Sequence, residues 1–307
     1  MQEDERSTLC RKGPVLKIRS EALAAIRDFF RQRDFLEVET PIRVRAPALE
    51  EHIDAEPSGD FFLRTSPELH MKRLLAAGHE RIYQLGACFR QGESGPFHSP
   101  EYTMLEWYRA PADYRDILSD TQELIQHVVA TVCGGTVMEW QGHRVRVDGD
   151  WRVIPVRDAF GEWANWDPVA NFDADRFDVD LIERVEPALR DQPVPCVLID
   201  YPRETASLAR RKPTTPDEAE RWELYLAGLD IANAVSELID VDEQEARFME
   251  CARNRRAAGR TVYPMDHLFL DALRRGMPPS GGIALGVDRL VMLLANAATL
   301  EEIRPFR

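Results

Sequence analysis

Apolar residues recur along the chain with two different periods, and the switches between them mark the elements. In residues 16–34, LKIRSEALAAIRDFFRQRD, Leu23, Ile26, Phe29 and Phe30 fall at helical spacing and predict an amphipathic helix. FLEVETPI then reads as a short strand stopped at Pro41, and residues 43–60 read as loop and short strand. In FFLRTSPELHMKRLLAAGHE a strand runs into a short helix. Ser66 suits its N-cap, Pro67 its first helical position and Gly78 its C-terminal stop. RIYQLGACFR and PEYTMLEWYR read as two strands joined by a polar, glycine-containing loop at 91–100, and a helix is expected over 113–132. Residues 137–200 give mixed signals, with several turns and two short helices. ERWELYLAGLDIANAVSELID reads as two strands around Gly228, leading towards a helix near 242–258. SGGIALGVDRLVMLLANA reads as a glycine-rich strand and turn feeding a helix. Strands dominate the middle and helices flank them, so the expected class is α+β with a mainly antiparallel sheet.

The 307 residues suffice for one large domain or two small ones. Hydrophobic content of 44% and charged content of 30% fit a globular chain rather than a disordered one. No run of eighteen apolar residues suggests a membrane helix, and the acidic, polar start lacks the order of a signal peptide. Five scattered cysteines without a C-x-x-C pair suggest reduced thiols, a cytoplasmic protein and no structural zinc. The net charge of −14 weighs against a general nucleic-acid binder, though a local basic patch is compatible with it.

Four stretches carry candidate chemistry. Side chains alternate across a strand, so Tyr102, Met104, Glu106 and Tyr108 share one face of EYTMLEWYR, while Thr103, Leu105 and Trp107 share the other, the better core face. Arg90 ends the preceding strand towards the first face, and the intervening loop carries Glu93 and His98. The bland alternative is an exposed hairpin with solvated charges. Glu223, Asp230, Asn233 and Glu237 offer hard oxygen ligands for Mg²⁺, a site for an amine, or simply a solvated acidic hairpin. In GGIALGVDRL, glycines allow close backbone approach and Arg289 offers a fork for phosphate, unless this is an ordinary turn before a core helix. In TSPELHMK, Ser66 and Glu68 at a helix start suit capping, and His70 and Lys72 suit solvated positions. No G-x-S-x-G or H-E-x-x-H pattern is present, and the remaining histidines stand alone.

Taken in order, LEVETPI, TSPELHMKRL, FRQGE with FHSPEYTMLEWY, LDIANAVSELID and GGIALGVDRL resemble the catalytic core of class II lysyl-tRNA synthetases over residues 16–300. FLEVETP looks like the dimer-forming motif 1, the arginine hairpin like motif 2 and GVDRL like motif 3. The resemblance implies a single catalytic domain over 1–307, a homodimer, and binding of ATP, Mg²⁺ and an amino acid. It implies that Arg90 contacts the α-phosphate and the substrate carboxylate, and that His98 and Arg289 lie towards the β- and γ-phosphates. It also implies that Tyr102 stacks on adenine, that Glu223 and Asp230 are the Mg²⁺-linked carboxylates, and that Glu68, Glu106, Tyr108, Asn233 and Glu237 form the lysine pocket, with Ser66 beside them. A buried ammonium needs such partners.

Motif 1 begins about thirty-five residues into the chain, too few to precede it with an anticodon-binding OB domain. A freestanding core of this kind is similar to the elongation factor P lysine ligases. That likeness implies activation of lysine, preferably (R)-β-lysine, and transfer to a lysine ε-amine on elongation factor P, with no anticodon reading and no tRNA. Ala284 stands where lysyl-tRNA synthetases usually have glycine, and one methyl there is worth roughly 1–3 kcal/mol of discrimination. The alternative is a harmless exchange. The pattern departs from the family at Gly92, where motif 2 has glutamate and Glu93 follows, at Ser99 for asparagine, at Asp230 for glutamate and at Ala234 for glycine. Competing expectations are an adenylate-forming paralogue with another acceptor and a non-catalytic amino-acid-binding regulator.

Overall fold

The computed structural model describes residues 5–306. It opens with α1 (Glu5–Arg11) and α2 (Gly13–Arg31), where Pro14 occupies the first turn and Phe29 and Phe30 are buried as the apolar spacing requires. FLEVETPI supplies only the two-residue β1 (Leu36–Glu37). β2 (Arg43–Val44), β3 (Pro57–Ser58) and β4 (Phe61–Leu63) form a separate small sheet. α3 (Glu68–Ala76) starts one residue later than Pro67 suggested, yet Ser66 still acts at its start, its Oγ accepting the Glu68 N–H at 2.9 Å.

β5 (Arg81–Phe89) and β6 (Glu101–Arg109) form the expected hairpin. α4 (Tyr114–Cys133) starts at a capping box between Asp113 and Asp116. The ambiguous stretch after it holds more strand than expected: β7 (Val137–Trp140), β8 (His143–Arg146) and β9 (Arg152–Pro155), then α5 (Val156–Ala164), α6 (Ala174–Asp180), a π-helical turn, α7 (Glu186–Arg190) and the wholly buried β10 (Cys196–Pro202). β11 (Glu218–Leu226) and β12 (Leu229–Ser236) meet at Gly228, whose φ of +75° suits glycine. Then come α8 (Val241–Ala257), α9 (His267–Arg275), β13 (Gly281–Gly286), α10 (Val287–Leu294) and α11 (Leu300–Ile303). α9 was not foreseen, although Phe269, Leu270 and Leu273 lie at helical spacing and are buried.

The main sheet runs β1-β5-β6-β13-β12-β11-β10-β9. Its five central pairings are antiparallel, and only the outer pairs, β1 with β5 and β9 with β10, are parallel. This is the expected α+β class, with helices flanking a large, mainly antiparallel sheet. One sheet face packs on α2, α4 and α10. Leu105, Trp107, Ile283, Leu285, Trp222 and Leu224 point into that core, and Phe30 stacks on Tyr83 at 4.4 Å and meets Trp107 edge-on at 5.3 Å. On the other side α3, α8 and α9 bury a second apolar cluster that includes Tyr108. Together they flank the polar part of that face.

Candidate active site

The antiparallel register aligns the polar face. Glu106 pairs with Ala284, Ala284 with Asn233, and Asn233 with Glu223, one line across β6, β13, β12 and β11. In the next line Tyr108, Gly282, Val235 and Arg221 stand opposite one another. Both lines enter a cavity of about 200 Å³, which Glu50, Glu68 and Glu237 also line. Most of the expected amino-acid residues are therefore brought together: Glu68, Glu106, Tyr108, Asn233, Glu237 and Ala284 share this cavity, and Ser66 donates its hydroxyl to Glu106 at 2.6 Å.

The exposed-hairpin alternative fails here, because Glu106 is only 2% exposed and Tyr108 is buried. Burial and the charge of Glu68 push the Glu106 carboxyl up to about 8, against the hydrogen bonds from Ser66 and from Tyr108, at 3.2 Å. Lys72 is not solvated either. It is fully buried, and its ammonium meets Glu68 at 2.5 Å and also pairs with Glu237. Gly282 makes room for this end of the cavity: a Cβ there would lie 2.2 Å from Glu237 Oε1 and 2.4 Å from Tyr108 Cε1.

A second group gathers around motif 2. Arg90 sits with its guanidinium carbon 5.2 Å from the Tyr102 ring centroid and 3.5 Å from Glu93 by its nearest nitrogen, and its buried Nε has no partner. Burial disfavours the Arg90 charge, but Tyr102, Glu50 and Glu93 more than offset this. Tyr102 is anchored through its hydroxyl to the Thr65 carbonyl at 2.8 Å. Gly92 has φ +78°, a conformation that favours glycine, and the loop carboxylate comes from Glu93 one position on.

A third group joins motif 3 to the hairpin loop. Arg289 donates to the Phe97 carbonyl at 3.1 Å and to the Asp230 carbonyl at 2.8 Å, and it pairs with the Asp230 carboxylate. Its remaining arm meets His98 Nε2 at 2.6 Å. A guanidinium only donates, so Nε2 accepts and the imidazole is neutral; burial and Arg289 both push its pKa below the usual range. The neighbouring Asp288 fixes the start of α10 against β6 by accepting from Arg19, Arg304 and the Thr103 N–H.

The expected metal carboxylates already have partners. Glu223 accepts from both Tyr201 and Tyr225 at 2.8 Å and from Arg221 at 2.5 Å. Asp230 pairs with Arg289, and Asn233 accepts from Arg221 at 3.0 Å. Glu186, which sequence reading missed, adds a third carboxyl group to this neighbourhood. Its carboxyl is pushed up to about 7 by burial and by Asp230 and Glu223. Hard oxygens with surplus negative charge suit Mg²⁺, but no group of three or more His, Cys, Asp or Glu among the described residues could hold a metal ion. Phosphate oxygens would have to complete the shell.

Other contributors were missed. Glu50 lines the cavity, and burial pushes its carboxyl up to about 7 despite Arg90. It is positioned by Arg255 of α8, which is fully buried and donates to the carbonyls of Glu50, Ile53 and Thr261. Nothing in the local sequence links Arg255 to a loop two hundred residues earlier.

Comparison with known proteins agrees with this geometry. Residues 11–307 match the family described as tRNA synthetases class II (D, K and N). The chain belongs to that family. It is 35% identical to a lysine–tRNA ligase of Pelotomaculum thermopropionicum over 94% of this chain and 62% of that protein. It is 36% identical to one of Carboxydothermus hydrogenoformans over 93% and 63%, and 35% identical to one of Thermotoga maritima over 94% and 62%. The chain thus spans less than two thirds of the length of these relatives.

Gly282→Ala forces Glu237 and Tyr108 apart. Overpacking of this kind costs about 1–3 kcal/mol, so urea unfolding should report a loss of that size. Unchanged stability would mean that the pocket end is looser than the geometry indicates.

Proposed function

We propose that this protein activates lysine, preferably (R)-β-lysine, as its adenylate at the expense of ATP, and transfers the acyl group to a lysine ε-amine on elongation factor P. The observation that carries the reading is the shared cavity in which Glu68, Glu106, Glu237 and Tyr108 face the aligned Ala284 and Asn233. Buried carboxylates and a phenol suit an ammonium. The unpartnered Arg90 Nε suits an incoming phosphate or carboxylate oxygen. Glu223 and Asp230 would hold Mg²⁺, which when bound neutralises phosphate charge.

In this reading Arg90 holds the substrate carboxylate against the α-phosphate. The carboxylate oxygen forms a bond to the α-phosphorus as the bond to pyrophosphate breaks. Arg289 and His98 face the departing phosphates, Tyr102 packs on adenine and Glu93 takes the role of the motif 2 glutamate. Arg289 must exchange its present acceptors for phosphate oxygens. Little covalent help is needed, so positioning and charge stabilisation supply the rate. The neutral acceptor amine then attacks the acyl carbon, AMP leaves and one proton is released. The Ala284 methyl sits between Glu106 and Asn233, which supports a shifted amine such as that of a β-amino acid. The lysine–tRNA ligase relatives favour a second reading, in which the acceptor is a tRNA end.

Purified protein with ATP and Mg²⁺ should catalyse pyrophosphate exchange most strongly with (R)-β-lysine, then lysine, and not with asparagine or histidine. Glu237→Ala should abolish the amino-acid dependence while ATP still binds; joint loss of both would contradict this division of the site. Acyl transfer to elongation factor P but not to tRNA would separate the two acceptors, and the reverse result would favour the second reading.

The reading also carries a homodimer, supported by the large apolar residues Leu36 and Ile42 exposed in the motif 1 segment. Sedimentation velocity at micromolar concentration should return a dimer, and a monomer would contradict it.

A further inference from the structure

Lys72 has no role in the scheme above, yet it is the most deeply enclosed cation beside the cavity. Its side chain is fully buried. Burial alone would lower its pKa, but Glu237 and Glu68 outweigh that and hold the ammonium charged, well above the usual lysine range. A structural ion pair would need no more than this. Three features point further.

Glu237 is two-sided: one oxygen pairs with Lys72, while the other, Oε1, faces Gly282 and the Tyr108 ring, where the cavity lies. The carboxylate thus presents an oxygen to a ligand while its partner cation stays behind it. Second, the charges form a definite count. At the Gly282 end three carboxylates, Glu68, Glu106 and Glu237, stand against one ammonium, Lys72, while Glu50 and Arg221, of opposite sign to each other, also line the cavity. An amino acid carrying two ammonium groups would bring that end to neutrality once their charge draws the proton from Glu106, its carboxylate being taken by Arg90. Third, Lys72 opposes burial at the residue that matters: burial raises the Glu237 pKa, Lys72 lowers it, and Glu68 raises it. Glu106 feels the same Lys72 pull.

We infer that Lys72 is a built-in counter-cation that positions Glu237, favours its ionised form in the empty pocket, and sets the pocket charge to fit an amino acid with two ammonium groups. This rests on the reading of the cavity as a lysine-type pocket. Lys72 acts through Glu237 and does not itself touch the substrate. The groups facing Glu237 are Lys72 and Glu68 from α3, Glu106 and Tyr108 from β6, and the main chain of Ser280 and Gly282.

The sign of the pH effect follows. Without Lys72, burial and Glu68 act unopposed and the Glu237 pKa rises. The carboxylate needed for ammonium binding is then populated only at higher pH. Lys72→Met and wild type are compared by the KM for lysine and for ATP in pyrophosphate exchange, from about pH 7 to about pH 9, below the usual amine pKa. At neutral pH the lysine KM of the variant should exceed that of wild type by about tenfold or more, the equivalent of about one pKa unit. The excess should shrink as pH rises, while the ATP KM stays within about twofold. Should Lys72→Met fail to fold, Lys72→Gln removes the charge but keeps an N–H donor and gives the same readout. A lysine KM that matches wild type, or one raised equally at every pH together with that for ATP, overturns the inference and leaves Lys72 a structural ion pair. Absence of exchange by wild type itself, with lysine or (R)-β-lysine, would instead defeat the reading of the pocket.

Discussion

The register of four antiparallel strands is the constraint on which the site depends. Side chains alternate with period two, so the pairing that places Glu106, Ala284, Asn233 and Glu223 on one line also places Leu105, Leu285, Ala232 and Leu224 on the line behind it. A slip of one residue in β6 or β11 would drive a carboxylate into the core and a leucine into the cavity. The apolar face therefore enforces the polar one. Trp107, Ile283, Ala234 and Trp222, opposed in the same way and packed against α2, α4 and α10, hold the register of the site from the core side.

On this frame the charges are sorted by position. Carboxylates collect around Gly282, at the C-terminal end of β12 and the start of α3. Arginines stand at the β5–β6 loop and the first turn of α10. Each sign is stabilised before any ligand arrives: Arg289 by Asp230 and two carbonyls, Glu223 by two phenols and Arg221, Glu237 by Lys72. Of these pairs Lys72 with Glu237 is fully buried, and removing one partner of a buried pair strands the other charge, typically a loss of about 3–5 kcal/mol. On the proposed reading, ligand binding exchanges partners rather than creating charge.

Much of this was legible in the sequence where the pattern is local. The two faces of EYTMLEWYR follow from alternation alone, and the hairpin, the strands around Gly228 and the glycine-rich strand before Arg289 lie as expected. The relation among these segments came from their order, by resemblance to a family, since spacing alone left each open to an ordinary structural explanation. What escaped was long-range. β10 is buried throughout and shows no alternation, so it reads as an apolar run of either type. Arg255 finds its partners in the loop at 50–54. Lys72 was readable in part, because Glu68 lies four residues before it on the same helical face, but its second partner, Glu237, is distant in sequence. Gly92 looked like the loss of a motif 2 carboxylate. Its left-handed backbone gives a physical reason for glycine there, with Glu93 beside Arg90.

The central claim is that the cavity recognises a second ammonium. Calorimetric titration with lysine and with norleucine, which matches its chain length but lacks the distal amine, in the presence of a non-hydrolysable ATP analogue, tests it most directly. Buried carboxylates left unpaired by norleucine should weaken its binding by about a hundredfold or more relative to lysine. Equal affinity for the two would contradict the account, since a pocket indifferent to that amine cannot be organised around Glu68, Glu106 and Glu237.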